Sequence, residues 1–271
     1  MFYYMIFGSS VNPAGNDGPS GGSHIKGTLI YISLGGWLLH SETEGDLNLL
    51  VNTQAATVMH ELGHALGLRH GGGDNIINKP NYISIMNYLY QTSGLPKLGH
   101  PQEGDRFYLA HPACNTHLCS GSCTWDQKVA ALHDGPRSKS FRIGYSHGQS
   151  MHIDESAVSE QGGLADKPGE GTTPVDFNCD GNISSAPIRK LVHDCIDDPL
   201  SRFDPGKPDR NEACAGKNGT RRQRAVLNDH DDWGQLSLFF AELYDPSALD
   251  LRLGAYLERL RREGSSLGIT F

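Results

Sequence analysis

The chain is poor in the features that usually assign a protein quickly. No apolar run approaches the roughly 20 residues that a membrane-spanning helix requires, so no membrane span is expected. Basic residues are in deficit, with 23 Lys and Arg against 31 Asp and Glu and a formal charge of -8. A nucleic-acid partner would want a basic face, so none is expected. Aromatic residues make up 8% and charged residues 20%, and no internal repeat is visible, which sets aside repeat architectures. The opening "MFYYMIFG" is apolar but short and has no basic start, so it reads as a strand and not as a signal peptide. If the protein is exported, a leader is expected ahead of this opening.

What is abundant points the other way. Glycine reaches 33 residues and proline 14, the composition of a loop-rich globular protein. The chain length of 271 suffices for one good core or two modest ones. Six cysteines, at Cys114, Cys119, Cys123, Cys179, Cys195 and Cys214, all fall in the polar, loop-rich part of the chain that begins after residue 91. Disulfides there would cross-link a region with a weak core and would imply an oxidising, extracellular compartment. Six cysteines allow 15 pairings, and sequence does not choose among them. His111, His117, Cys114, Cys119 and Cys123 fit none of the common structural zinc spacings, which favours disulfides over a zinc site there.

Residues 2–7 and 27–36 read as strands, with a glycine-rich loop over 8–23 between them. A helix is expected over 53–66, with Asn52 or Thr53 as N-cap and Gly67 as the stop. Residues 92–140 have weak periodicity. A short helix is expected over 154–161 and an acidic, turn-rich loop over 175–183. The tail over 246–262 has a helical stripe of Leu249, Leu253, Tyr256, Leu257 and Leu260. The basic run "RRQR" over 221–224 reads as a solvated surface or a self-processing site.

One stretch carries costly polar groups at telling intervals: "VMHELGHALGLRHGGGD", from Val58 to Asp74. His60 and His64 are four apart, so on a helix they share a face and can bind one cation through neutral imidazoles. Glu61 is rotated away from both and can reach a water beside the metal. Gly67 can take the left-handed conformation that turns the chain sharply and brings His70 back as a third ligand. Three protein ligands leave a fourth position open, as in catalytic and not structural zinc sites. Asp74 would cap a turn or orient a ligand histidine.

"HELGHALGLRH" resembles the HExxHxxGxxH signature of the metzincin clan of zinc peptidases. The clan also places a methionine turn beneath its metal, and "SIMNY" supplies Met86 sixteen residues after His70. "NKPNYISIMNYLYQ", the "YSHG…IDE" stretch, "DFNCDG" and "NDHDDW" resemble segments of a set of secreted microbial metzincin-like hydrolases. The resemblance implies an α+β catalytic domain over 1–271. Its upper subdomain, over 1–70, would hold a mixed twisted sheet with the active-site helix. Its lower subdomain, over 71–271, would be irregular and disulfide-containing, with an insertion near 95–140. Residue 71 is Gly71, where astacins carry glutamate, reprolysins aspartate and matrixins serine, so no subfamily is assigned. Only 59 residues precede His60, fewer than the clan's usual upper subdomain, as if the amino terminus were shortened.

The implied activity is hydrolysis of a protein or peptide substrate, with zinc on His60, His64 and His70 and Glu61 as general base. Met86 and Gly67 would support the site. Tyr88, like the methionine-turn tyrosine of astacins and serralysins, would approach the metal, the alternative being a core tyrosine. Substrate would pair with an edge strand, for which residues 28–34 are the candidate. Asp176, Asn178 and Asp180 alternate like the start of a calcium loop. The twelfth position is Pro187, which excludes an EF-hand and leaves another oxygen-rich calcium site, with Asp229, Asp231 or Asp232, or a solvated turn. The rival readings are a secreted calcium-binding adhesion module with a structural or vestigial zinc site, and a zinc hydrolase of a non-peptide amide.

Overall fold

The structure is a computed structural model and describes residues 2–10, 18–37, 39, 41–111, 114, 117, 141–165, 173–193 and 224–236. The expected helix over 246–262 and Arg221 and Arg222 of the basic run lie outside these residues, as do Cys119, Cys123, Cys195 and Cys214.

The first half is a small sheet carrying one long helix. Strands β1 (Tyr4–Gly8), β2 (Gly21–Ser23) and β3 (Leu29–Ser33) lie in the order β1-β3-β2, with β1 parallel and β2 antiparallel to β3. β3 is the strand that its β-branched and aromatic composition promises: Ile30 and Ile32 are buried on one face. It is central, however, paired on both sides, so its backbone groups are spent on the sheet. The expectation that 28–34 forms the edge strand is therefore corrected. Among the described residues β1 and β2 each pair on one side only, and of these two edges it is β2 that packs against α1. β2 escapes propensity reasoning because it opens with two glycines. Gly21 is required there: a Cβ would lie 2.9 Å from both the Glu61 Cγ and the Thr57 Cγ2. Strand and helix can meet at that distance only without a side chain between them.

Helix α1 spans Glu44–Ala65 and packs on β2 and β3. Ile30, Ile32, Leu34, Trp37 and Ala65 form the joint core, flanked by Val58 and Leu62. The helix begins well before the expected 53, so Asn52 and Thr53 are not caps but buried interior residues. The reason lies in the stripe it buries: Asn52, Thr53, Ala56, Thr57, His60, Glu61 and His64. That stripe has helical spacing but is mostly polar, so apolar periodicity does not reveal it. The end of the helix is as expected. Gly67 has φ 101°, and Leu68 N–H donates to the Gly63 carbonyl at 2.8 Å while Gly67 N–H donates to the His64 carbonyl at 2.9 Å. This pair of bonds is a Schellman cap.

Beyond α1 the described residues have little regular structure. Helices α2 (Tyr88–Gln91), α3 (Asp105–Ala110) and α4 (Asp232–Gln235) are short, and β4 (Ile153–Asp154) pairs with β5 (Val226–Leu227). The expected helix over 154–161 does not form; a two-residue strand and a 3₁₀ turn at Glu160–Gly162 take its place. Asp154 accepts from the Ser156 N–H, a local turn that competes with helix. Glu155 and Glu160 point inwards as acceptors for distant backbone.

That use of carboxylates recurs. With few ladders available, buried N–H groups still need acceptors. Glu103 accepts from Gly99, Leu164 and Thr173 amides, Glu155 from Val192 and Ala225, and Glu160 from Asn178 and Ser184. All three are fully buried. They surround an apolar cluster that includes Phe107, Phe177, Leu164, Ile153 and Leu227. A disulfide joins Cys114 to Cys179 across the same cluster, so Cys114 is not available as a zinc ligand. Among the described residues no helix is long and apolar enough to cross a membrane.

Candidate metal centre

Three imidazoles converge on one point. The Nε2 atoms of His60 and His64 are 3.1 Å apart, those of His64 and His70 2.9 Å, and those of His60 and His70 3.2 Å. Four ligands placed tetrahedrally at about 2.0–2.1 Å from zinc would be roughly 3.3 Å from one another. Two of the rings are oriented from behind. His60 Nδ1 lies 2.8 Å from the Ile85 carbonyl and His64 Nδ1 3.0 Å from the Leu68 carbonyl. A carbonyl can only accept, so in each ring Nδ1 carries the proton and Nε2 presents its lone pair. Burial holds all three below the usual histidine range, His60 well below and His70 down to about 4, with His64 further depressing both. They are therefore neutral near pH 7. Neutral lone pairs facing one another at this separation suit a cation. Among the described residues, no other group of three His, Cys, Asp or Glu side chains is placed to hold one ion.

Glu61 lies beside this cluster and is 4% exposed, with its Oε2 buried and without a hydrogen-bond partner. Desolvation raises its carboxyl to about 7. A structural site has no use for such a group, whereas a proton acceptor does. Thr57, one turn earlier on the same face, also has a buried hydroxyl without a partner. Both side chains touch the place where a Gly21 Cβ would stand, so the site opens beside β2.

Met86 is fully buried, and its sulfur fills the notch left by Gly63, where a Cβ would collide with it. The glycine inside the HELGH sequence is thus what lets the methionine turn approach α1, a role the sequence reading missed. A glycine inside an otherwise good helix was the available signal. Tyr88 is not a core tyrosine: it is 42% exposed, with its ring centroid 4.0 Å from that of His70 and 5.8 Å from that of His60. Asn87 caps α2 directly before it, accepting from the Leu89 N–H.

Asp74 does not touch a ligand histidine. It accepts from the Ile76 N–H, as a turn cap does, and pairs with Lys79 at 3.0 Å. Lys79 is 1% exposed and also donates to the Gly71 carbonyl at 2.8 Å, immediately after His70. Sequence reading passed over Lys79, because a lysine gives no outward sign that it will be buried.

The acidic loop is occupied with itself. Asp176 accepts from Asp180 and Gly181 amides and pairs with His117, and Asn178 accepts from the Asp180 N–H. Asp180 accepts from the Asn182 N–H. Asp229 accepts from Ser146 and Ser150, Asp231 caps α4, and Asp232 is bonded to Tyr82 and Ser84. Among the described residues no three of these carboxylates come together at one point.

The chain matches no protein-family model, no curated protein and no solved structure, so its own site chemistry has to carry the functional reading.

Proposed function

We propose that the protein is a zinc-dependent endopeptidase of the metzincin type. The observation that carries this reading is the convergence of three neutral imidazole lone pairs beside a buried, unpartnered carboxylate oxygen, next to a strand with one unpaired side. His60, His64 and His70 would hold the ion. When bound, zinc would supply Lewis-acid activation of water and of a carbonyl group. Glu61 takes the proton from the attacking water and returns it to the leaving amine. Its elevated carboxyl range suits both halves of that exchange. An extended peptide adds to the free side of β2, exchanging backbone hydrogen bonds with it. Gly21 keeps that strand close to Glu61, while Gly22 leaves room for the Tyr31 side chain. The disulfide supports an oxidising, extracellular compartment for this activity.

A zinc hydrolase of a non-peptide amide would use the same four side chains. The strand beside them, open on one side, favours a peptide. The adhesion-module reading is disfavoured by Glu61, which a structural site would not keep buried and unpaired. Incubation with an unstructured protein is the direct test. Cleavage should stop with a chelator and return with about one equivalent of zinc per chain. A cleavage rate indifferent to chelation would overturn the reading.

Tyr88 would donate a hydrogen bond to the oxygen that gains charge during hydrolysis. Tyr88→Phe keeps the ring against His70 and removes only the donor. We expect kcat to fall roughly 10- to 1,000-fold, the range around loss of one oxyanion donor. KM and zinc content should hardly change. Near-normal kcat would remove Tyr88 from the mechanism.

A further inference from the structure

One carboxylate far along the chain is wired to the ligand histidines without touching them. Asp232 is 0% exposed, and at least three donors meet its two oxygens. Tyr82 donates to Oδ1 at 2.8 Å, Ser84 to Oδ2 at 2.5 Å, and the Ser146 N–H to Oδ2 at 3.0 Å. Acceptors for three donors are what a carboxylate offers and an apolar residue cannot. Tyr82 and Ser84 lie 150 and 148 residues upstream, just before the turn that holds Met86.

The connection runs on from there. The Ser84 hydroxyl, while donating to Asp232, accepts from the Met86 N–H at 3.1 Å. Between those two residues stands Ile85, whose carbonyl receives the Nδ1 proton of His60. The direction of that carbonyl, and with it the aim of His60 Nε2, depends on how the turn is held. The Tyr82 phenol has one proton, which goes to Asp232, so the Arg69 carbonyl 3.4 Å away is a neighbour and not a second acceptor. The residue after Asp232 reaches α1 by a separate path. Trp233 Nε1 donates to the Tyr145 carbonyl, and the Tyr145 hydroxyl donates to the carbonyl of Met59, directly before His60.

We propose that Asp232 is a positioning residue for the zinc site: through Ser84 it sets the turn whose Ile85 carbonyl orients His60. This rests on the metal reading given above. It assigns the short helix α4 a function, since α4 carries Asp232 at its first position with Asp231 as its cap. Hydrogen-bond partners behind metal ligands typically change metal affinity about 10- to 100-fold when removed.

Cobalt serves as the probe, because its visible spectrum reports ligand geometry without requiring activity. Two variants are used. Ser84→Ala removes only the hydroxyl between Asp232 and the Met86 amide. Asp232→Asn keeps the size but turns one of the two acceptors into a donor facing donors. Glu160→Gln is the control, a buried carboxylate that clamps loop amides away from the histidines. The expected result is cobalt affinity, by chelator competition, about 10-fold or more weaker in Ser84→Ala and Asp232→Asn, with an altered spectrum. Glu160→Gln should lower the melting temperature and leave affinity and spectrum unchanged. In metal-free wild type, the His60 Nδ1 proton should give a slowly exchanging resonance that both site variants lose.

Wild-type affinity and spectrum in both site variants, whatever their melting temperatures, would reduce Asp232 to a structural role. Equal loss of affinity in Glu160→Gln would do the same. A wild-type protein that takes up no cobalt would overturn the zinc reading instead. The proton resonance would then decide separately whether Asp232 sets the aim of His60.

Discussion

Glu61→Gln is expected to keep fold and zinc and to slow hydrolysis of an unstructured protein about 100- to 10,000-fold. Glutamine has the same shape and fits the same space beside Gly21. Its amide cannot accept a proton, so the exchange between water and leaving amine loses its carrier. Zinc content should not move, because the three Nε2 atoms are held by α1, by the loop after Gly67 and by the carbonyls of Ile85 and Leu68. The loss should fall on kcat and on kcat/KM alike, as for an interaction made only in the transition state. Turnover at the wild-type rate in this variant would end the general-base assignment.

Asp74→Ala is expected to destabilise the protein by about 2–4 kcal/mol, more than Lys79→Met at about 1–2 kcal/mol. The asymmetry follows from burial, since Lys79 is 1% exposed and Asp74 32%. Removing Asp74 leaves an ammonium group in the interior with the Gly71 carbonyl and the face of Tyr82 for company. Burial already pulls the lysine below its usual range, so part of the cost will be met by losing its proton. Removing Lys79 leaves a carboxylate that water can reach and one carbonyl without its donor. The double variant should therefore cost less than the sum of the two. Thermal melts read this directly, at about 2–4 °C per kcal/mol in a protein of this size. Equal effects of the two single changes would show that the pair is solvated and not buried. Because Lys79 holds the peptide after His70, zinc affinity should fall in both variants.

The three histidines that converge, and the glutamate beside them, were legible because each intrinsic requirement is local. His60, Glu61 and His64 share a helix, and their angular spacing follows from 3.6 residues per turn. Gly67 is needed where φ reaches 101°, and His70 follows it closely enough to return. Elements with a conventional signature were visible for the same reason. β3 shows its β-branched residues, and the end of α1 shows its glycine.

What escaped was set by partners far away in the chain. β2 contributes two glycines and a serine, and becomes a strand only because β3 supplies its ladder and α1 demands a surface without side chains. The first half of α1 buries a polar stripe, and polarity on a buried face makes sense only once the site it lines is known. Glu155 and Glu160 suggest a helix by propensity. They are drawn inwards by amides at 178, 184, 192 and 225 that no local pattern announces. Lys79 looks like an ordinary surface charge, and Asp232 like a candidate calcium ligand or a solvated acid, until tertiary contacts remove their water. The amino-acid sequence by itself determined which groups meet at the three histidines, because short-range helix and turn geometry brings them together. Only the tertiary structure decided which strand borders them and which distant carboxylate steadies them. Those choices depend on satisfying buried polar groups across the whole molecule, a condition that local sequence does not contain.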